Sequence, residues 1–141
     1  MLFSLGSALI SWMSREQKSV ALSTVEAKYI AASMASCEAV WLRKLFSELF
    51  GHTLDTIVIF CDNQSGIRLS ENLVFHDRSK HVDIRYHFIR DMVQQGAIMP
   101  HHIGTDEQVA DILTKPLGKI KFLTFRERLG VVERPSYEGP A

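Results

Sequence analysis

Three carboxylates stand where the sequence could hold a hard divalent cation. Glu26 shares a helical face with Leu22, Tyr29, Ile30 and Ser33 at spacings of three and four, so it points where the helix seeks burial. Burying an ionised carboxylate costs several kcal/mol unless a cation, a metal or hydrogen-bond donors meet it. Asp62 follows the run Thr56-Ile57-Val58-Ile59-Phe60-Cys61. It therefore sits at the carboxyl end of a strand, where open α/β sheets place their active crevice. Asp111 lies in QVADILTK, with Val109, Ile112 and Leu113 on the opposite helical face. Each residue also has a plainer local explanation: a glutamate flanking an apolar stripe, a helix N-cap, and a solvated surface aspartate. Taken together, a helix, a strand end and a late helix can bring three carboxylates to one crevice. Mg²⁺ is held by one or two carboxylates with water and phosphate oxygens. Two such ions about 4 Å apart activate a water and stabilise the leaving oxygen in phosphodiester hydrolysis.

Histidines add little to this set. His76, His81 and His87 do not have helical zinc-ligand spacing, and no paired cysteines complete a site. His101 and His102 fall just before the Asp111 segment, in an expected loop, where a histidine can move a proton near neutral pH or be an ordinary loop residue. Basic charge is local. Between Lys115 and Arg134 six basic residues stand against two acidic ones, and Arg78, Lys80, Arg85 and Arg90 accompany the histidines of 76–90. Such patches contact phosphates or are solvated helix faces.

The elements that must position these groups follow from periodicity. Residues 1–5 and 8–13 read as two strands joined at Gly6-Ser7, a turn pair suited to a tight hairpin. From about Ser23 the period becomes helical, continuing through an Ala-rich stretch to a stripe of Leu42, Leu45, Phe46 and Leu49 and a terminating Gly51, as one helix or two. Residues 56–61 lack alternation, which predicts a strand buried on both faces. Asp62-Asn63 ends it and can cap a short helix. A helix over 82–95 turns Val82, Tyr86, Ile89 and Val93 inward and stops at Gly96, and a strand begins at Ala97, with Pro100 marking an edge, a bulge or its end. Thr105-Asp106-Glu107-Gln108 reads as a capping box opening a helix that ends before Pro116. A last helix near 118–129 closes on Gly130, so 1–130 is expected as one α/β domain and 131–141 as a tail.

The chain has 141 residues, 46% hydrophobic and 23% charged, with a formal net charge of zero. Those values fit a globular domain with a real core and argue against disorder. Electroneutrality argues against a general polyanion binder, though not against binding through patches. Cys37 and Cys61 are too few for a disulfide framework, which suits a reducing, intracellular compartment with both thiols buried. The uncharged start, residues 1–14, lacks the basic lead of a signal peptide and the length of a membrane span, and reads instead as a buried strand or hairpin.

At these residues the sequence resembles a known family. SLGSALISWMSREQKSVALSTVEAKYIAAS, CDNQSGIRL, HDRSKHVDIRYHFIRD and TDEQVADILTKPL, in that order, resemble the ribonuclease H domain that ends copia-type retrotransposon polyproteins. The likeness runs from about Phe3 to Gly130. It implies a ribonuclease H-like mixed sheet of five strands, the first three antiparallel, flanked by helices. It also implies cleavage, with two Mg²⁺, of the RNA strand of RNA–DNA hybrids made by the adjoining reverse transcriptase domain. By motif match, Glu26 in STVEAKY, Asp62 in CDNQS and Asp111 in QVADILTK are the family's metal-binding carboxylates, and His102 approximates the histidine in the loop before the last of them. The family's first strand bears a further aspartate, in a Tyr-x-Asp-Ala-Asp-like segment that lies upstream of the match to Met1-Leu2-Phe3. The expectation is therefore a domain without that central strand, with activity absent or very low. The rival expectations are a catalytically dead module that holds nucleic acid through Lys119, Lys121 and Arg126 or associates with a polymerase, and an unselected fragment with no stable product.

Overall fold

Small residues decide how the long helix packs. In the computed structural model, which describes residues 1–15, 24–62, 64, 67 and 80–132, the stretch after Thr24 forms one uninterrupted helix, α1 (Thr24–Phe50). Ala35, Ser36 and Ala39, 8%, 2% and 0% exposed, lie on a face free of bulk, so the helix approaches the strands closely. Ser36 donates its hydroxyl back to the Ala32 carbonyl at 2.8 Å, which satisfies its buried oxygen within the helix. Gly51 ends α1 at φ +68°, a left-handed conformation that costs other residues about 1–2 kcal/mol.

Beneath α1 lie β3 (Ile57–Cys61) and β4 (Ile98–His102), a parallel pair in which Ile57 faces Ile98 and Cys61 faces His102. The helix α2 (Lys80–Gln94) precedes β4 and packs on α1, with the Tyr29 and Tyr86 rings stacked at 5.6 Å. Residues of α1 and α2 share a small apolar cavity with Ile59, Cys61, Ile98 and Pro100, so both helices cover one face of the pair. Ile89 and Ile98, 3% and 1% exposed, anchor this core. Arg43 ties α1 to the turn after α2, donating from Nη1 to the Gly96 and Ala97 carbonyls at 3.2 Å.

Backbone hydrogen bonds show which edge of each strand is which. Ile57 N–H donates to the Ala97 carbonyl, and Ile103 N–H donates to the Cys61 carbonyl. Alternate residues of a strand face opposite neighbours, so the backbone groups of Val58 and Phe60 point away from β4, and those of Pro100 point away from β3. Gln108 covers one of them, its Nε2 reaching the Phe60 carbonyl at 3.4 Å.

The chain divides into two compact units: Gln17–Gln108, just described, and Met1–Glu16 with Val109–Ala141. In the second unit β1 (Leu2–Leu5) and β2 (Ala8–Trp12) form an antiparallel hairpin with a bulge between Phe3 and Ser4. The turn is the expected one, with Gly6 at φ +59°. A short 3₁₀ helix (Val109–Leu113) and α3 (Lys119–Arg128) complete this unit around Phe125, 2% exposed. Ser14 Oγ donates to the Leu113 carbonyl at 3.0 Å, joining hairpin to 3₁₀ helix.

The structure bears out the mixed α/β class, as two small sheets with helices. It corrects several finer expectations. The strand 57–61 is not buried on both faces: the helices cover one side, and Val58 and Phe60 on the other are 38% and 54% exposed. Leu49, expected in the inward stripe, is 65% exposed in the last turn of α1. The hairpin is a hairpin but not a buried one, with Leu5 and Trp12 exposed. The segment after Thr105 makes a turn and then a 3₁₀ helix, not a capped α-helix. Pro116 disfavours helical geometry at Lys115, and so short a segment favours tight i→i+3 turns. Cys37 is exposed on α1 rather than buried, while Cys61 is half-buried. Leu22, Asn63 with most of the stretch expected as a short helix, His76, Arg78 and Arg134 fall outside the described residues, as do the side chains of Lys80, His81 and Val82. Among the described residues no helix is long and apolar enough to cross a membrane.

Candidate metal-binding carboxylates

Asp62 immediately follows β3, with its side chain 15% exposed. The close packing of α1 brings Lys28 to it, with Nζ 3.1 Å from Oδ1. Lys28 lies one turn before Ala32 on the face that lines the apolar cavity, so its stem crosses apolar surface while the ammonium reaches the strand end. Glu26, half-buried in the first turn of the same helix, is two residues from Lys28. One unit therefore carries Glu26 on α1, Asp62 beyond β3, and the lysine that joins the two elements.

His102 is the last residue of β4, in register with Cys61, and exposed. It is thus on a strand and not in the expected loop, because β4 continues past Pro100 through His101 and His102. His101 turns its ring edge-on to Phe60 at 5.6 Å, on the open face of the pair.

Asp111 belongs to the other unit. It is buried, 7% exposed, and does not have the solvated position its helical spacing suggested. The reason is the tighter helix, whose three residues per turn redistribute the faces that a 3.6-residue period assigns. Lys115 meets it, Nζ to Oδ2 at 2.9 Å, while Thr114 and Lys115 N–H groups both donate to the Asp111 carbonyl. Of the basic candidates on α3, Lys119 is exposed and Arg126 half-buried, and Lys121 Nζ lies 5.4 Å from the centre of the Phe125 ring.

The donor set is carboxylate oxygen, the chemistry of a hard cation, and each carboxylate has about four acceptor positions; Lys28 meets one oxygen on Asp62 and Lys115 one on Asp111. Among the described residues no group of three or more His, Cys, Asp and Glu side chains is placed to hold a metal ion. What the sequence reading missed is the lysines. Lys28 could have been found by following the small residues Ala32, Ala35, Ser36 and Ala39 back one turn, and Lys115 from its i,i+4 spacing to Asp111.

No family model and no solved structure matches the chain. Curated relatives do. The chain is 45% identical over 130 residues to a retrovirus-related Pol polyprotein from transposon TNT 1-94 of Nicotiana tabacum, a match covering 92% of this chain and 10% of that protein. It is 43% and 44% identical over 131 residues to the retrovirus-related Pol polyproteins from transposons RE2 and RE1 of Arabidopsis thaliana, covering 93% of this chain and 9% of each. The chain thus spans about a tenth of the length of the curated relatives it matches. Over more than nine-tenths of its own length, this protein is similar to a segment of retrovirus-related Pol polyproteins from plant transposons.

Proposed function

We propose that this chain is a ribonuclease H-like segment of a copia-type retrotransposon Pol polyprotein. Its chemistry would be Mg²⁺-dependent hydrolysis of the RNA strand of RNA–DNA hybrids beside the reverse transcriptase domain of the same polyprotein. The observation that carries this reading is Asp62 at the carboxyl end of a parallel strand, ion-paired to the helix that bears Glu26. Similarity to Pol polyproteins over nearly the whole chain supports it. Glu26 and Asp62 would hold Mg²⁺, and the resemblance adds Asp111. Bound metal supplies an activated water and Lewis acidity at the phosphate. His102, exposed at the end of β4, would exchange a proton with substrate or solvent. The 2′-hydroxyl of the substrate distinguishes RNA from DNA.

The 141 residues contain no Tyr-x-Asp-Ala-Asp-like segment. Labelled hybrid incubated with the purified 141-residue chain and Mg²⁺ should therefore be cut very slowly. Extending the chain with a strand of that kind should raise the rate, and Asp62→Asn in the extended chain should abolish it. An extended chain that cuts nothing, or whose rate is unchanged by Asp62→Asn, refutes the nuclease reading.

A second reading is a hybrid-binding module without catalysis. The two lysine–aspartate pairs favour it, because an ammonium already neutralises each aspartate. Binding would then fall steeply with salt. Alanine at Lys119, Lys121 and Arg126 would flatten the slope of log affinity against log salt by about one unit for each phosphate no longer neutralised.

A further inference from the structure

We infer that Lys28 is a tethered counter-ion that competes with a divalent cation for Asp62. The inference rests on the proposed metal-binding role of Asp62 and concerns how that role is regulated. Lys28 Nζ stands 3.1 Å from Asp62 Oδ1, close enough for a charge-assisted hydrogen bond. Asp62 is the less exposed partner, 15% against 39% for Lys28. The carboxylate is therefore the group that depends on the pair, whereas the lysine, on a flexible four-carbon stem, can swing into water. A cation arriving at Asp62 meets a positive charge already in place, and binding requires that charge to move. An ammonium held by the chain is present at a fixed local concentration, so the site responds to divalent metal only above a threshold, and it remains neutralised below it.

Lys115 holds Asp111 in the same way at 2.9 Å, 49% exposed against 10%. Two carboxylates picked out by sequence thus share one arrangement: a shielded acid with a more exposed lysine. The pairing is closer and its acid better shielded than in the surface ion pair Lys44–Glu48, in which the distance is 3.9 Å and both partners are mostly exposed.

The test is Mn²⁺ binding to the full 141-residue chain, read as loss of the free-ion electron paramagnetic resonance signal. Lys28→Met should tighten Mn²⁺ binding roughly tenfold, the scale set by removing one charge a few ångströms away in a partly screened medium. Lys28→Arg, which keeps the charge, should stay near the parent value. In the unsubstituted chain, Mn²⁺ should increase acetic anhydride labelling of Lys28 relative to Lys44, the 77%-exposed reference, as the ammonium leaves Asp62. This labelling arm needs no variant to fold. Asp62→Asn should weaken Mn²⁺ binding in both the parent and the Lys28→Met chain. If Asp62→Asn matters but Lys28→Met binds no tighter and labelling does not change, the competition is disproved while the metal-site reading stands. If Asp62→Asn changes nothing in either background, the metal-site reading itself has failed.

Discussion

Lys28 and Asp62, 34 residues apart in sequence, are joined Nζ to Oδ1 at 3.1 Å and fasten the start of α1 to the end of β3. Because both side chains are partly exposed, the pair is worth little in free energy. A double-mutant cycle of Lys28→Met and Asp62→Asn, followed by urea denaturation, should give a coupling of about 0.5–1 kcal/mol, reduced at high salt. A coupling near zero at low salt would mean that the pair is not maintained in solution.

The Asp111–Lys115 pair predicts an asymmetry. Lys115, half in solvent, can rehydrate when its partner is removed, whereas Asp111, 10% exposed, cannot. Lys115→Met should therefore cost more stability than Asp111→Asn, by about 1 kcal/mol, since it leaves a shielded carboxylate without its cation. Equal losses, or a reversed order in thermal melts, would contradict the burial of this aspartate.

Packing energy is concentrated on one face of β3 and β4. Ile98, 1% exposed, lies against the helices, and Ile98→Ala should cost about 2–5 kcal/mol. Its neighbour Met99 is 49% exposed on the other face, so Met99→Ala should cost well under about 1 kcal/mol. Cooperative melting monitored by circular dichroism checks both variants. A chain that shows no cooperative melt at all would instead fit the reading of a fragment without a stable product.

Cys37 is exposed as a residue, but partial shielding of its thiol from water pushes that group above its ordinary value of 9.0, while the charge of the Arg85 guanidinium pulls in the opposite direction. With the folded value raised, the folded chain keeps a proton that the unfolded chain gives up. The associated stability is fully present below pH 9.0, the ordinary thiol value, and is lost as pH rises through the folded value. In a Cys61→Ser background, the midpoint of the pH–rate profile for iodoacetamide should lie higher for folded than for urea-unfolded protein, and Arg85→Met should move it higher still. A midpoint lowered by Arg85→Met would reverse the assigned role of that charge.

Much of the fold was legible because it depends on local chemistry. Gly6, Gly51, Gly96 and Gly130 all adopt positive φ where a turn or helix end was expected, since glycine alone adopts it cheaply. The Tyr29, Ile30 and Ser33 face of α1 is buried as its spacing required. What could not be read were the properties set by distant neighbours. An apolar run such as 57–61 shows that a strand forms but not how many of its faces are covered, and here one is open. Asp111 is buried against its 3.6-residue spacing because the segment that carries it is a 3₁₀ turn. Of the candidate site, Asp62 at the strand end was found from pattern alone. Its partner Lys28 was not, because the helix-to-strand approach that joins them depends on tertiary packing.

Pro100 has a consequence for how this chain meets copies of itself. Its register places the missing N–H on the outer margin of β4, so an incoming backbone finds a gap in the row of donors between Ile98 and His102. The opposite margin, at Val58 and Phe60, keeps its N–H groups and gives up one carbonyl to Gln108. Accretion of further chains is accordingly polar. Among the described residues, the margin at Pro100 is thus the poorer template for an added strand and the margin at Val58 and Phe60 the richer one.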